Sequence, residues 1–318
     1  MPERHFLQSD EWMQFQGLLG REIIEDKGDG WSYKAVVEKS SGGLGSIGKR
    51  LYVPYGPTAD STRALAAALQ SLRQKAHKQA ATYVRLEPNP LFAAKALTAL
   101  GLKRSDRNAQ PDLTLIVDLS KSDDELLSEM SSANRRLWRR IDETGLTFAI
   151  SYELSDLTNF ISMTEATIKR TGARLHSGAY LEKLFGLLAP SRQAGLAFVS
   201  HGGKRLGGIF FIDDLKAATR YYMYAASFDE AREHNCGSAV AAYLLFAAKS
   251  AGLKYFDFFG ISPAENKSHV LAGISAFKRS FGGEELAFSG TWELPVHKAS
   301  HKLIRGLRPV AKKLKKVI

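Results

Sequence analysis

The sequence predicts an α/β (α+β) fold made of two similar halves, each around a mixed central sheet. Three observations predict it. Strand and helix patterns alternate as β-β-α-β-α-β up to Leu119. A similar alternation restarts at Leu146. Last comes Tyr221-Tyr-Met-Tyr-Ala-Ala-Ser-Phe-Asp229, an aromatic strand, followed by a helical stretch Gly237–Ala251 and a second strand Lys254–Phe259. Strand, helix and strand in that order form an α/β crossover.

Taken in order, Ser9 caps a short helix through Phe15. Trp31–Lys39 and Arg50–Pro54 are apolar and β-branched enough for strands, and Tyr55-Gly-Pro57 is a turn. Gly43-Leu-Gly-Ser-Ile-Gly48 is formally G-x-G-x-x-G. A strand follows it, not the helix whose N-terminus would hold a pyrophosphate, so it reads as a hairpin loop. Leu65, Leu69 and Leu72 recur at helical spacing over Ser61–Gln79. Thr82–Glu87 is a strand, Leu91–Ala99 a helix and Asp112–Leu119 a strand, an order compatible with an N-acetyltransferase-like (GNAT-like) half. Ser122 and Glu125 form a capping box that starts one long helix to about Thr144, with Leu126, Met130, Leu137 and Ile141 inward. Within it, Asn134-Arg-Arg-Leu-Trp-Arg-Arg140 is either a solvated basic face or a phosphate-contacting ridge. Leu146–Tyr152 is a strand, and Leu157–Arg170 and Leu181–Leu188 are helices, the second introduced by Tyr180. Leu196–Ser200 and Arg205–Ile212 form a hairpin. The reading places one domain at 1–145, a second at 146–289, and returns 290–318 to the first.

Composition narrows the function. At 318 residues there is room for one large or two ordinary domains. The lone cysteine, Cys236, excludes a disulfide framework and reads as structural. No signal-peptide core opens the chain, and no apolar run approaches the ~20 residues of a membrane span, so a cytoplasmic location is expected. The net charge of +11 attracts nucleic acid, anionic membranes or phosphorylated substrates. His297–Ile318 carries eight Lys and Arg and no acid. Leu303, Leu307, Val310, Leu314 and Val317 form a stripe along it, which Pro309 should kink or interrupt. That tail reads as a helix packed on the first half, an anionic-membrane contact or an RNA contact. An acetyl-CoA loop, H-E-x-x-H, a P-loop and G-x-S-x-G are all missing, and the histidines are scattered. Neither a metal nor a bound cofactor is expected.

Several motifs share one order. They are Gln8-Ser-Asp-Glu-Trp12, Arg85-Leu-Glu-Pro88, Gln110-Pro-x-x-Thr-x-x-Val-Asp-Leu119, the Tyr-Met-Tyr-Ala-x-Ser strand, Asp257-Phe-Phe-Gly-Ile261 and Phe277-Lys-Arg-Ser-Phe-Gly282. In that order the chain resembles the FemABX family of tRNA-dependent peptidoglycan-bridge aminoacyltransferases. The resemblance implies two GNAT-like domains. It implies transfer of an amino acid from aminoacyl-tRNA, the co-substrate, to the amine of a peptidoglycan precursor, either UDP-linked or lipid-linked. No heptad run suggests the coiled-coil arm of some members.

The resemblance also assigns residues. Lys278 is the family-matching lysine, placed to stabilise a tetrahedral oxyanion or to hold the tRNA's terminal phosphate, with Phe277 packed beside it. Glu87 would take or orient the amine's proton. Tyr222 and Tyr224 would line a substrate channel together, since alternate residues of a strand face one side. Tyr180 would touch the nucleotide or muramyl portion, and Asp257 has a structural strand-end role. Two positions depart from the family. Gln14 stands where precursor-binding members have a lysine, and His176 where they have an arginine, with Arg174 close by. Both family positions serve the diphosphate of the UDP-linked precursor. The lipid-linked form, or another basic set such as Arg174 and Lys204, stays open. The basic tail at Lys298–Ile318 would suit an anionic membrane surface. Two other readings remain: an aminoacyl transferase acting on protein N-termini, and a non-catalytic RNA- or membrane-binding protein.

Overall fold

The computed structural model describes residues 4–39, 49–172, 175–266 and 271–314, with side chains as far as Leu307. The 43–48 loop and Arg174 lie outside the described residues. The chain divides into two compact units. Arg4–Asp112 and the segment from Ala287 form the first, and Leu113–Leu286 form the second.

The first unit opens with α1 (Asp10–Leu18), where the Ser9 hydroxyl accepts from the Trp12 N–H at 3.0 Å. Strands β1 (Ile23–Gly28), β2 (Trp31–Glu38), β3 (Arg50–Val53) and β4 (Thr58–Ala59) follow. Sequence reasoning missed β1, which has two apolar residues and an exposed outer edge. Helix α2 (Thr62–Lys78) starts at Ser61, which caps the Ala64 N–H at 3.1 Å, and buries Leu65, Leu69 and Leu72 as their spacing predicts. Then come β5 (Tyr83–Leu86), α3 (Ala94–Ala99) and β6 (Lys103–Arg104).

The second unit begins at β7 (Leu113–Asp118), continues through α4 (Asp123–Glu129) and α5 (Ser132–Arg139), and then β8 (Leu146–Ser151), α6 (Leu154–Thr171) and α7 (Gly178–Leu188). Strands β9 (Ala194–His201), β10 (Lys204–Asp214) and β11 (Thr219–Ser227) make a meander. Helix α8 (Cys236–Ser250) leads to β12 (Tyr255–Gly260), α9 (Ala272–Arg279) and β13 (Glu284–Ala287). The sheet order is β13-β7-β12-β11-β10-β9-β8, with β11 and β12 parallel as the crossover requires. The chain then returns to the first unit with β14 (Trp292–Pro295) and α10 (Lys298–Leu314). There the order is β1-β2-β3-β5-β14-β6, with β3 and β5 parallel.

Three expectations need correction. The boundary falls after Asp112, not at 145, because Leu113–Asp118 pairs antiparallel with β12. The single helix to Thr144 is two helices. Met130 turns extended (φ −68°, ψ 152°), and the Ser131 N–H donates to the Ser280 carbonyl at 2.8 Å instead of continuing the helix. Pro309 does not interrupt α10, which runs from Lys298 to Leu314.

Each unit has its own core. Leu65, Leu72, Val84 and Leu294 anchor the first, and α8 covers Ile209, Phe211, Tyr222, Phe256 and Phe258 in the second.

Candidate active site

The second unit's site is built where β12 ends. The β7–β12 register shifts between Asp257 and Gly260, and Phe259 sits at φ +62°. That bulge is held by Asp257, whose carboxylate accepts from the Phe259 N–H at 2.7 Å and from the Thr114 hydroxyl. Bulges commonly re-aim groups beside functional sites. The re-aimed Gly260 carbonyl accepts from Lys278 Nζ at 2.7 Å.

Helix α9 lies along this exit. Ser275, Lys278 and Arg279 share one face at i, i+3 and i+4. Ser275 Oγ accepts from the Ser262 N–H at 2.8 Å, and Arg279 donates to the Ser262 carbonyl at 2.6 Å. Lys278 is 6 % exposed, lies on a helix, and sits 6.0 Å from the Tyr222 ring centre. Phe277 is half-buried and meets Phe281 edge-on at 5.2 Å. The glycines of the Phe-Gly-Gly end are needed for fit. Gly282 (φ +79°) would set a Cβ 2.7 Å from the Glu129 Cβ, and Gly283 (φ +94°) one 2.6 Å from the Ile116 carbonyl oxygen.

Burial sets the electrostatics. It lowers the Lys278 ammonium to about 8, partly countered by the Asp257 charge. It raises the Asp257 carboxyl to about 6, against its hydrogen bonds from Thr114 and Phe259 and the Lys278 charge. Gly260 is the one hydrogen-bond partner of the Lys278 ammonium among the described residues. An ammonium has three N–H donors, so two remain for a ligand.

The two tyrosines do not share a wall. Between Tyr222 and Tyr224, β11 carries one residue more than β10, which pairs Phe211 with Tyr222 and Phe210 with Tyr224. This bulge breaks the alternation that would put both on one face. Tyr222 joins the cluster under α8, 5.6 Å from Phe258. Tyr224 packs on Phe210, which meets Phe160 of α6 and Phe185 of α7. On that second face His176 stacks on Tyr180 at 3.9 Å and meets Tyr224 edge-on at 5.7 Å. Burial, and then the charge interaction and hydrogen bond with Tyr180, raise the Tyr224 phenol well above its usual value. Tyr180 lies inside α7 rather than ahead of it. The structure therefore brings Lys278, Phe277, Tyr222 and Asp257 together, and gathers Tyr180, His176 and Tyr224 separately.

Glu87 and Gln14 belong to the first unit. Glu87 is 2 % exposed and accepts four hydrogen bonds: Tyr52 Oη (3.1 Å), Tyr55 N (3.1 Å), Gln110 N (3.0 Å) and Thr291 Oγ1 (2.7 Å). Its carboxyl is pushed up by burial against those four bonds. Both oxygens are engaged in tying β5 to the Tyr55 turn, the 110 segment and the approach to β14. This geometry gives Glu87 a holding task rather than the expected proton transfer. Gln14 is exposed on α1. Lys204 is exposed and paired with Glu230.

Sequence reasoning missed Gly260, Thr114, Ser262 and Ser275 as builders of the lysine's surroundings. The Asp-x-x-Gly spacing marked a strand end, but the bulge there and the carbonyl it presents are backbone features and leave no residue-type signal.

The comparisons bear on this site. Residues 195–308, which hold Tyr222, Asp257 and Lys278, match the model of the FemAB family. Over that stretch the chain is similar to the FemAB family. It is 21% identical to a lipid II:glycine glycyltransferase of Staphylococcus haemolyticus over 402 residues, covering 99% of this chain and 93% of that protein. The crystal structure of FemX superposes with a TM-score of 0.83 at 20% identity, covering 95% of this chain and 94% of that one. A tandem GNAT protein from the clavulanic acid biosynthesis pathway superposes at 0.51 with 11% identity, covering 93% and 97%. The fold is accordingly that of FemX and of a tandem GNAT protein.

Proposed function

We propose that this protein moves an amino acid from aminoacyl-tRNA to the side-chain amine of a peptidoglycan-precursor stem peptide, with the lipid-linked precursor as acceptor. The observation that carries this is the buried Lys278 ammonium at the end of β12, which among the described residues donates to the Gly260 carbonyl alone. In the reaction the neutral amine attacks the ester carbonyl carbon. The C–O bond to the tRNA ribose breaks, an amide forms, and the amine's proton ends on the ribose oxygen. Negative charge builds on the carbonyl oxygen on the way. A donor already fixed in a dry site stabilises that charge without reorganising, and one such donor is worth about 10²–10³ in rate. Lys278 supplies it, Gly260 and Asp257 hold it in place, and Tyr222 and Phe277 exclude water around it.

The lipid-linked acceptor is favoured by two features. The positions that serve a UDP-linked diphosphate in relatives hold Gln14 and His176, so neither carries a lysine or arginine. Helix α10 docks by His301 and Ile304 while leaving Leu303 (53 % exposed), Leu307 (37 % exposed), Lys298 and Lys302 outward. An outward apolar stripe among lysines suits an anionic bilayer surface. Leu303→Ser with Leu307→Ser should release the protein from phosphatidylglycerol vesicles in sedimentation, and unchanged binding would refute the contact.

The test of function is a transfer assay. Mixed radiolabelled aminoacyl-tRNAs are offered with UDP-linked muramyl pentapeptide or with its lipid-linked form. Label on the lipid-linked form is expected, and label on the UDP-linked form alone would refute the acceptor assignment. Label on neither, with tRNA still bound, would sink the bridge-forming role and turn attention to a protein acceptor.

A further inference from the structure

We infer that α5 is the phosphate-contacting ridge that seats the acceptor end of the tRNA beside Lys278. The inference rests on aminoacyl-tRNA being the acyl donor.

The arginines of α5 are not equivalent. Arg135 donates to the Ser128 carbonyl at 3.1 Å, and Arg140 pairs with Glu143 at 2.6 Å. Arg136 and Arg139 are exposed, and their guanidinium groups form no hydrogen bond or ion pair with any described residue. At i and i+3 they share one face of the helix. Two exposed cations on one face of a helix, with no carboxylate paired to them, are free to contact backbone phosphates. Trp138 packs inward, half-buried, with its ring stacked on Phe246 at 5.1 Å, and so fixes the side of α5 opposite Arg136 against the core.

Placement makes the ridge specific. The N-terminus of α5 is fastened to the end of the helix that carries Lys278. Ser131 N donates to the Ser280 carbonyl at 2.8 Å, and Asn134 Nδ2 donates to the same carbonyl at 3.2 Å and to Ser280 Oγ at 2.8 Å. Ser280 caps α9, two positions after Lys278. Arg136 and Arg139 lie two and five positions beyond Asn134, about 3 and 7.5 Å further along the axis at 1.5 Å per residue. Phosphates in a strand are spaced at about 3.4 Å of axis per nucleotide in duplex geometry. The ridge is thus a few nucleotides from Lys278, the reach of the single-stranded end of a tRNA whose terminal ester meets the ammonium. A break at Met130 sets α5's direction from that anchor.

The experiment is the double variant Arg136→Ala with Arg139→Ala, measured against wild type for aminoacyl-tRNA affinity across salt and for transfer kinetics. Each lost phosphate contact removes about 0.7–0.9 from the slope of log K against log salt, so the variant's slope should flatten by about 1.4–1.8. Between 50 and 200 mM salt the wild type should therefore lose about tenfold more affinity than the variant. KM for aminoacyl-tRNA should rise while kcat at saturation holds, because neither arginine touches the reacting atoms. An unchanged slope and KM in the variant, with an active wild type, overturns the ridge and leaves the function intact. Loss of binding to phosphatidylglycerol vesicles with tRNA binding unchanged would also overturn it, marking the face as a membrane contact. A wild type that neither binds nor uses aminoacyl-tRNA removes the donor assignment and the ridge with it.

Discussion

Lys278→Met should cut transfer about 10²–10³-fold and at the same time stabilise the fold. The wild-type ammonium is lowered from 10.5 to about 8 by burial. At 1.36 kcal/mol per unit, keeping it charged at neutral pH costs about 3 kcal/mol. Methionine nearly fills the same volume without that cost. Two effects offset the gain. The Gly260 carbonyl loses its donor, about 1 kcal/mol for a hydrogen bond. Asp257 loses a compensating cation and becomes harder to ionise. A net gain of about 1–2 kcal/mol at pH 7 remains after these terms. The sign of the pH dependence follows from the depressed folded-state value. The unfolded chain holds the lysine proton up to 10.5 and the folded chain only up to about 8. Between those values the wild type gains stability with rising pH, by up to about 1.4 kcal/mol per unit. The variant, lacking the group, should not. Urea unfolding of both proteins at pH 7, 8, 9 and 10 measures this directly. A variant less stable than wild type at pH 7, or two parallel stability curves, would refute a desolvated lysine. The activity loss should be about 10²–10³-fold, the value of one oxyanion donor.

Three further outcomes are expected. Asp257→Asn removes the charge that supports the Lys278 ammonium, so the alkaline limb of the pH–rate profile should move to lower pH; a limb that stays put would separate the two groups. Glu87→Gln turns an acceptor of two donors into a donor facing them, which should destabilise by about 2–4 kcal/mol in urea unfolding. Its kcat in the folded fraction should stay within about tenfold, because a general base would be worth 10²–10⁴. Gly283→Ala forces φ +94° on an L-residue and drives its Cβ into the Ile116 carbonyl oxygen. A cost of about 2–4 kcal/mol in thermal or urea unfolding is expected, and a neutral result would mean the β7 backbone gives way there.

Local rules made much of the fold legible and failed wherever a distant partner decided. Ser61 and the Leu65, Leu69, Leu72 spacing specify α2, since a cap and an apolar stripe are properties of one segment. The crossover from β11 to β12 is legible for the same reason. The Met130 break is not, because the spacing of Leu126, Met130 and Leu137 satisfies one helix; the competing hydrogen bond comes from Ser280, far along the chain. Strand β7 reads as a strand, yet the pattern says nothing of its partner, and its pairing with β12 moves the boundary to residue 112. At the candidate site, Lys278 and Phe277 are singled out by their motif alone. The shared wall of Tyr222 and Tyr224 was lost to a bulge, which no side chain there announces.

The bulge at Phe259 and the lysine form a single device. A lysine side chain can reach many carbonyls, and burial alone would simply neutralise it. Here Asp257 acts twice. Its carboxylate accepts the Phe259 N–H, which turns the strand end and presents the Gly260 carbonyl, and its charge holds the ammonium protonated near neutral pH. Thr114, on the neighbouring strand, fixes the carboxylate in turn. The Asp-x-x-Gly and Phe-Lys-x-x-Phe-Gly motifs are therefore one charge arrangement written in two places. The first supplies the counter-charge and the carbonyl. The second supplies the cation and the glycines that let the chain after α9 pack against Glu129 and Ile116.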